Sequence, residues 1–256
     1  MRRKKPAIRG GVAALAAAAA LALTLSGCTS VDTTSPKTAR AQDGPGADGK
    51  FGPVDCREAK CVALTFDAGP GKDTPRLLDI LKEKKVHATF FLLGKNHVVR
   101  YPDVVRRIAE EGHEVANHTW THPRLTDKNE SEIRDELKRT QDAIEEITGR
   151  RPTLMRPPQG RTDDEVTKVS KELGLAQVLW SVTAKDYQTT DSDLIEERVL
   201  EQVDKDGIIL LHDIYRGTVP AVPGIIDELK KRGYTFVTVP QLLAPGVAEP
   251  GTVYRP

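Results

Sequence analysis

The chain lacks an apolar run suited to a stable membrane span, since its one extended run, residues 11–25, is short and dominated by alanine. It lacks a charge imbalance, with 38 basic against 37 acidic side chains, and nothing in that balance points to nucleic acid as a partner. No Gly-x-Gly-x-x-Gly fingerprint follows the first apolar strand, which removes the usual mark of a dinucleotide fold. Cysteine is scarce, with three in 256 residues, and no second Cys or His pair lies near Cys56 and Cys61 in sequence to complete a structural metal site.

What is present begins with MRRKK, the alanine-rich run and LSGC at Leu25–Cys28. A basic head, a short apolar centre and small residues before a break are the parts of a secretory signal. The ending LSGC resembles the bacterial lipobox, in which cleavage before the cysteine leaves a sulfur that carries a lipid; a plain signal peptide is the alternative. Residues 1–27 are therefore expected to be removed, with Cys28 lipidated and the protein exported and held by its lipid on the outer face of a bacterial cell membrane. That removal takes away five basic side chains and no acid, so the net charge falls from +1 to −4. Residues 28–55, poor in large apolar side chains, are expected to form a disordered tether. The remaining stretch, about 200 residues, is enough for one domain with a sizeable core. It divides into residues 56–245 and a tail over 246–256.

In an exported protein Cys56 and Cys61, in DCREAKC, are expected to close a small disulfide loop of modest stabilising effect, with a metal pair as the rival reading. Beyond them, apolar or β-branched runs start at Val62, Ala88, His113, Thr153, Ala176, Ile208 and Thr235. They alternate with helical patterns such as TPRLLDILKEKK and ESEIRDELKRTQDAIEEITG. Continuous rather than alternating apolar strands interleaved with helices predict an α/β domain with a mostly parallel sheet, closed as a barrel or open and doubly wound.

The polar chemistry collects at strand ends. Asp67 follows the first strand, His118 and His122 the third, Arg156 the fourth and Asp186 the fifth, while His212 ends the sixth. In a β/α barrel these ends share one rim, where active sites are built. His118 and His122, four apart in NHTWTH, could grip one divalent metal on a helix face or in an irregular loop. Arg156 precedes two prolines that stiffen its loop, and a rigid guanidinium suits holding a carboxylate. His212 ends a buried strand, a common place for a general acid or base, and Tyr187 beside Asp186 could form a wall against a sugar. For each of these a solvated loop residue or a satisfied core histidine is the plain alternative; His87, His97 and His113 are read as structural.

The series TFDAGP, HTWTH, RPPQG, KDY and LLHD, in that order from Val62 to Leu243, resembles the NodB-homology polysaccharide deacetylases of carbohydrate esterase family 4. The resemblance implies a distorted (β/α)7 barrel and metal-dependent hydrolysis of N-acetyl groups on amino sugars, or of O-acetyl groups on xylan. It implies that Asp67 is the base, that His118 and His122 hold the metal, and that Arg156 holds the base. It further implies that His212 protonates the leaving amine, that Asp186 tunes it, that the backbone N–H of Gln159 shares the oxyanion, and that Leu210 lines the acetyl pocket. Tyr187 stands where the family has tryptophan, Gln159 where it has tyrosine, and Thr183 where an aspartate opens the fourth motif. Ala68 stands where the family has its third metal ligand. The ligand types suit zinc, cobalt or nickel, and availability favours zinc. The expected partner is an N-acetylated glycan, of cell-wall peptidoglycan or chitin type, together with the membrane through the lipid; no protein partner is implied. A wall-binding lipoprotein with a degraded metal site is the reading from a different class.

Overall fold

The computed structural model describes Met1, residues 31–41 and residues 54–256. The signal segment, Cys28 and most of the expected tether lie outside the described residues. Within that tether, residues 31–41 differ from the expectation of disorder. Thr33–Thr34 form a short strand, β1, and Pro36–Ala41 a helix, α1. The helix docks because Arg40 is buried, donating to the Leu242 carbonyl (2.8 Å) and to Asp206 (2.5 Å). Composition did not show this, because the docking rests on one arginine finding a carboxylate 166 residues away.

The domain is built on parallel strands β2 (Lys60–Asp67), β3 (Thr89–Leu92), β4 (Glu114–Asn117), β5 (Leu154–Met155), β6 (Ala176–Val178), β7 (Val182–Thr183), β8 (Gly207–Leu211) and β9 (Tyr234–Val237). The run AQVLWSV, read as one strand, is broken at Leu179–Ser181. Its first half pairs with β5 and its second with β8, so the curled sheet is open between β6 and β7. Strand β2 is central. It pairs with β8 along most of its length, with β9 at its start and with β3 at its end. The tail over 246–256 also holds a strand, β10 (Val253–Tyr254), which inserts in parallel between β6 and β1. The result is a parallel half-barrel of the distorted (β/α)7 type.

The helical patterns all form: α2 (Thr74–Lys84), α3 (Pro102–Glu110), α4 (Glu130–Thr148), α5 (Asp164–Glu172), α6 (Ser192–Gln202) and α7 (Thr218–Lys231), followed by a short α8 (Val239–Leu243). Helix α4 starts where Asn129 and Glu132 cap each other reciprocally and stops at Gly149, whose φ of 70° is the left-handed turn glycine tolerates. The disulfide Cys56–Cys61 is formed, closing the approach to β2.

Successive side chains of a strand point to opposite faces, and here the two faces have different partners. Val62, Leu64 and Phe66 of β2, Phe90 and Leu92 of β3, and Ile209 and Leu211 of β8 join the core shared with helices α2, α6 and α7. The intervening residues Ala63, Phe91, Ala116, Leu154, Ala176, Val178 and Ile208 pack with one another inside the curl, capped by Leu242 and Leu243 of α8. The same two-residue period, continued past Ala116 and Leu154, gives His118 and Arg156, and continued from Ala63 through Thr65 and from Ile208 through Leu210 gives Asp67 and His212.

Candidate active site

Arg156 is at the centre of the rim and is wholly buried. Its Nη1 donates to Asp67 Oδ1 (2.6 Å) and to Thr65 Oγ1 (2.7 Å), and its Nε to the Val178 carbonyl (3.0 Å). Thr65 passes its own hydroxyl proton to the Ile209 carbonyl (2.7 Å). The guanidinium lies 4.0 Å from the centre of the Phe91 ring and 5.6 Å from that of Trp180, and the ring faces partly replace the water that its unpaired Nη2 has lost. A buried charge is stable only when paired, so Arg156 and Asp67 depend on each other. The pairing also fixes one oxygen of Asp67 and leaves Oδ2 facing the cleft, 3.9 Å from His118 Nε2.

The turn after Asp67 explains the glycine of TFDAGP. A Cβ at position 69 would stand 2.3 Å from Asp213 Oδ1, so only glycine fits beside that carboxyl. Asp213 is fully buried, accepts from the Thr74 hydroxyl, and burial pushes its pKa up to about 6. Thr74 in turn accepts from the Gly71 N–H (2.7 Å). Asp213 thus ties the turn bearing Asp67 to the strand end bearing His212, a role that was not read from LLHD because the contact spans 139 residues.

NHTWTH is an irregular loop rather than a helix, with Thr119 and His122 at φ of 70° and 63°. Asn117 holds it by accepting from Thr119 N–H (2.8 Å), and Glu136 of α4 accepts from the N–H groups of Trp120 and Thr121 (2.9 and 2.7 Å). The two imidazoles are brought to 4.9 Å between ring centres. His118 Nδ1 lies 2.8 Å from the Arg156 carbonyl and can only donate to it, which leaves the Nε2 lone pair toward the cleft. Burial lowers the His118 pKa to about 4 and lowers that of His122, so both rings are neutral, the state a metal ligand requires.

Two neutral imidazoles beside a carboxylate fit a divalent cation in donor type, and His118 and His122 are the residues that would hold it. Among the described residues no three His, Cys, Asp or Glu side chains converge tightly enough to hold an ion by themselves. At Ala68, whose φ is 61°, there is a methyl group and no donor.

The opposite wall carries His212. Its Nδ1 lies 2.8 Å from Asp186 Oδ1, and its backbone N–H donates to Asp186 Oδ2 (2.7 Å), which also accepts from the Thr218 hydroxyl (2.7 Å). Burial works against a charge on His212, but the hydrogen bond and charge of Asp186 outweigh it, helped by Asp67, and the pKa is raised above its ordinary value. The ring is flanked edge-on by Tyr187 at 6.0 Å and by Tyr215 at 5.3 Å, both exposed. Tyr187 is thus at the cleft as expected; Tyr215 was missed, although its position three residues after His212 was a signal. Leu210 lies on the inward face two residues before His212 and is nearly buried. Gln159 is exposed on the RPPQG loop at φ of 60°, with its side-chain oxygen 3.4 Å from Arg124 Nε. Of the histidines read as structural, His113 Nδ1 accepts from Ala88 N–H (3.1 Å), and His97 Nδ1 lies 3.0 Å from the Pro70 carbonyl.

The rim of the parallel half-barrel thus carries an Asp–Arg pair, an Asp–His pair and two further histidines. Residues 55–178 match the family model Polysaccharide deacetylase. The chain is 40% identical over 184 residues to the peptidoglycan-N-acetylglucosamine deacetylase PgdA of Listeria monocytogenes, covering 72% of this chain and 39% of that protein. It is 44% identical over 184 residues to the peptidoglycan-N-acetylmuramic acid deacetylase PdaC of Bacillus subtilis, covering 72% and 38%. The chain thus spans about two fifths of the length of these relatives. Among solved structures it superposes on the T48 deacetylase with substrate at a TM-score of 0.75 and 41% identity, covering 78% of this chain and 99% of that one. It also superposes on a CE4 family pseudoenzyme from Bacillus anthracis at a TM-score of 0.70 and 30% identity, covering 77% and 70%. The chain belongs to the polysaccharide deacetylase family.

Proposed function

We propose that this protein hydrolyses N-acetyl groups of cell-wall peptidoglycan, with Asp67 as base and His212 as acid. The observation that carries the reading is the pair of separately braced groups across one cleft: a carboxylate held by Arg156 with one oxygen free, and an imidazole held by Asp186. Amide hydrolysis needs a proton taken from water and another given to the leaving nitrogen, and these two groups are set for those tasks. Asp67 Oδ2 accepts the water proton while Arg156 keeps the carboxylate from turning away. His212, whose pKa Asp186 raises, donates in its protonated form from Nε2 to the departing amine, because its Nδ1 is committed to Asp186. The backbone N–H of Gln159 donates to the developing oxyanion, and Leu210 lines the space for the acetyl methyl. A bound divalent cation, zinc by availability with cobalt or nickel as alternatives, would supply Lewis-acid polarisation and lower the pKa of water. Tyr187 and Tyr215 give the sugar two apolar edges beside the acid.

The relatives' names support peptidoglycan over chitin or acetylated xylan as the substrate, as does the expected lipid on Cys28, which would keep the domain beside the wall. Cys28→Ser should abolish uptake of labelled fatty acid; wild-type protein that takes up none overturns the lipid anchor. The second reading, a glycan-binding pseudoenzyme, is favoured by one observation, the methyl group of Ala68. Against it stands the bracing of both acid and base, which a binding protein has no use for. Release of acetate from N-acetylated peptidoglycan fragments, with zinc or cobalt added, tests the reading; release no faster than the buffer blank for every acetylated glycan tried would overturn it.

A further inference from the structure

A small cavity of about 170 Å³ opens beside the RPPQG loop, lined by Gln159, Gly160, Leu179, Trp180 and Arg255. Its construction is particular to the end of this chain. Strand β10 lies outside the stretch that carries the family motifs and pairs with β6 in the register Tyr254↔Val178. Arg255, the next residue, therefore comes abreast of Leu179 at the C-terminal end of β6, on the rim where Arg156 and His212 lie. Its backbone is held on the other side, where its N–H donates to the Thr34 carbonyl (3.0 Å). Tyr254 anchors the strand from within, buried, its hydroxyl bonded to Glu249 N–H (3.0 Å) and to the Val247 carbonyl (3.3 Å).

The Arg255 side chain is exposed and meets no carboxylate among the described residues, and no acidic residue lines the cavity. The floor is the Trp180 indole, kept open on one side by Gly160, where a Cβ would stand 2.8 Å from the ring. Gln159 completes the wall. Its side-chain oxygen faces Arg124, so its amide hydrogens remain for a ligand. An aromatic face, a guanidinium without a partner and an amide donor are the groups that receive a sugar ring bearing a carboxylate. We propose that this cavity is a subsite for an acidic sugar next to the one being deacetylated, with Arg255 pairing the free lactyl carboxylate of a muramic acid residue that carries no stem peptide. The proposal rests on the peptidoglycan reading above and adds to it the feature that separates peptide-free peptidoglycan strands from neutral chitin-type glycans.

The test is calorimetric titration of the full chain with two disaccharides, N-acetylglucosaminyl-N-acetylmuramic acid and di-N-acetylchitobiose, for wild type, Arg255→Gln and Arg255→Lys. Wild type should bind the acidic disaccharide about fivefold more tightly, the scale of one solvent-accessible ion pair, with the difference shrinking in high salt. Arg255→Gln should erase the preference without changing affinity for the neutral sugar, and Arg255→Lys should keep part of it. Equal binding of the two sugars by wild type, undetectable binding of both, or an undiminished preference in Arg255→Gln would overturn the subsite. Acetate release measured on the same proteins separates the two questions: a binding preference without any turnover would sink the enzymatic reading and leave the subsite standing.

Discussion

Two sets of residues in the cleft are built to different standards. The braced set faces itself across the cleft: Asp67 has one oxygen held by Arg156, and Asp186 holds His212 with support from Thr218, so base and acid each keep one pose. The cation corner, beside Asp67, has two imidazoles and, at Ala68, a methyl group on a left-handed backbone. The contrast teaches where this domain depends on its own folding energy and where it depends on a bound ion. A buried charge pair must be complete for the strand ends to pack, whereas a loop carrying neutral histidines stays folded whether or not a cation is present.

Removing a member of the braced set should have the largest effect. Asp67→Asn takes away the base and leaves Arg156 as a buried charge without its partner. Turnover should fall by roughly 10² or more, and stability by about 3–5 kcal/mol, the scale for breaking a buried pair. Urea unfolding alongside acetate release measures both. Turnover near that of wild type in the folded variant would remove Asp67 from the chemistry.

Asp186→Asn should act next most strongly, and with a direction. His212 works as an acid only while protonated, so activity is lost as pH rises through its raised pKa. Without the Asp186 charge that loss should move to lower pH, and turnover at neutral pH should fall with it. The same linkage governs stability. The contribution of His212 is fully present below its unfolded pKa and is lost as pH rises through the folded one, and the variant should lose that slope. An alkaline limb that does not move would show that another group is the acid.

Ala68→Asp fills the sparse corner and sharpens the contrast from the other side. A carboxylate adds a coordinate bond and a negative charge beside a dication, so affinity for zinc should rise about tenfold, some 1.4 kcal/mol. Turnover need not follow, because a carboxylate donating to the metal weakens it as a Lewis acid. Equal affinity in titrations of the metal-free proteins would mean that another side chain already completes the site. The smallest effect is expected from Thr218→Val, which removes one of the hydrogen bonds on Asp186. A loss of about 1 kcal/mol in stability and an unmoved pH profile would fit a supporting role; a shifted profile would make Thr218 part of the acid.

Much of this was legible in the chain by itself. Buried strands read as continuous apolar runs and helices as 3.6-residue patterns because burial and periodicity are local, so the alternation of the half-barrel and the strand-end positions of Asp67, His118, Arg156 and His212 could be read directly. Even their shared orientation follows from the two-residue period, since each continues the inward face of its strand. Other features depended on contacts between residues far apart in sequence. The docking of residues 31–41 through Arg40 and Asp206, the split of AQVLWSV between two neighbours, the wedge of Asp213 against Gly69 and the arrival of Arg255 beside Trp180 leave no local pattern. Each is settled by which strand lies next to which, and that is decided only when the sheet closes on its core.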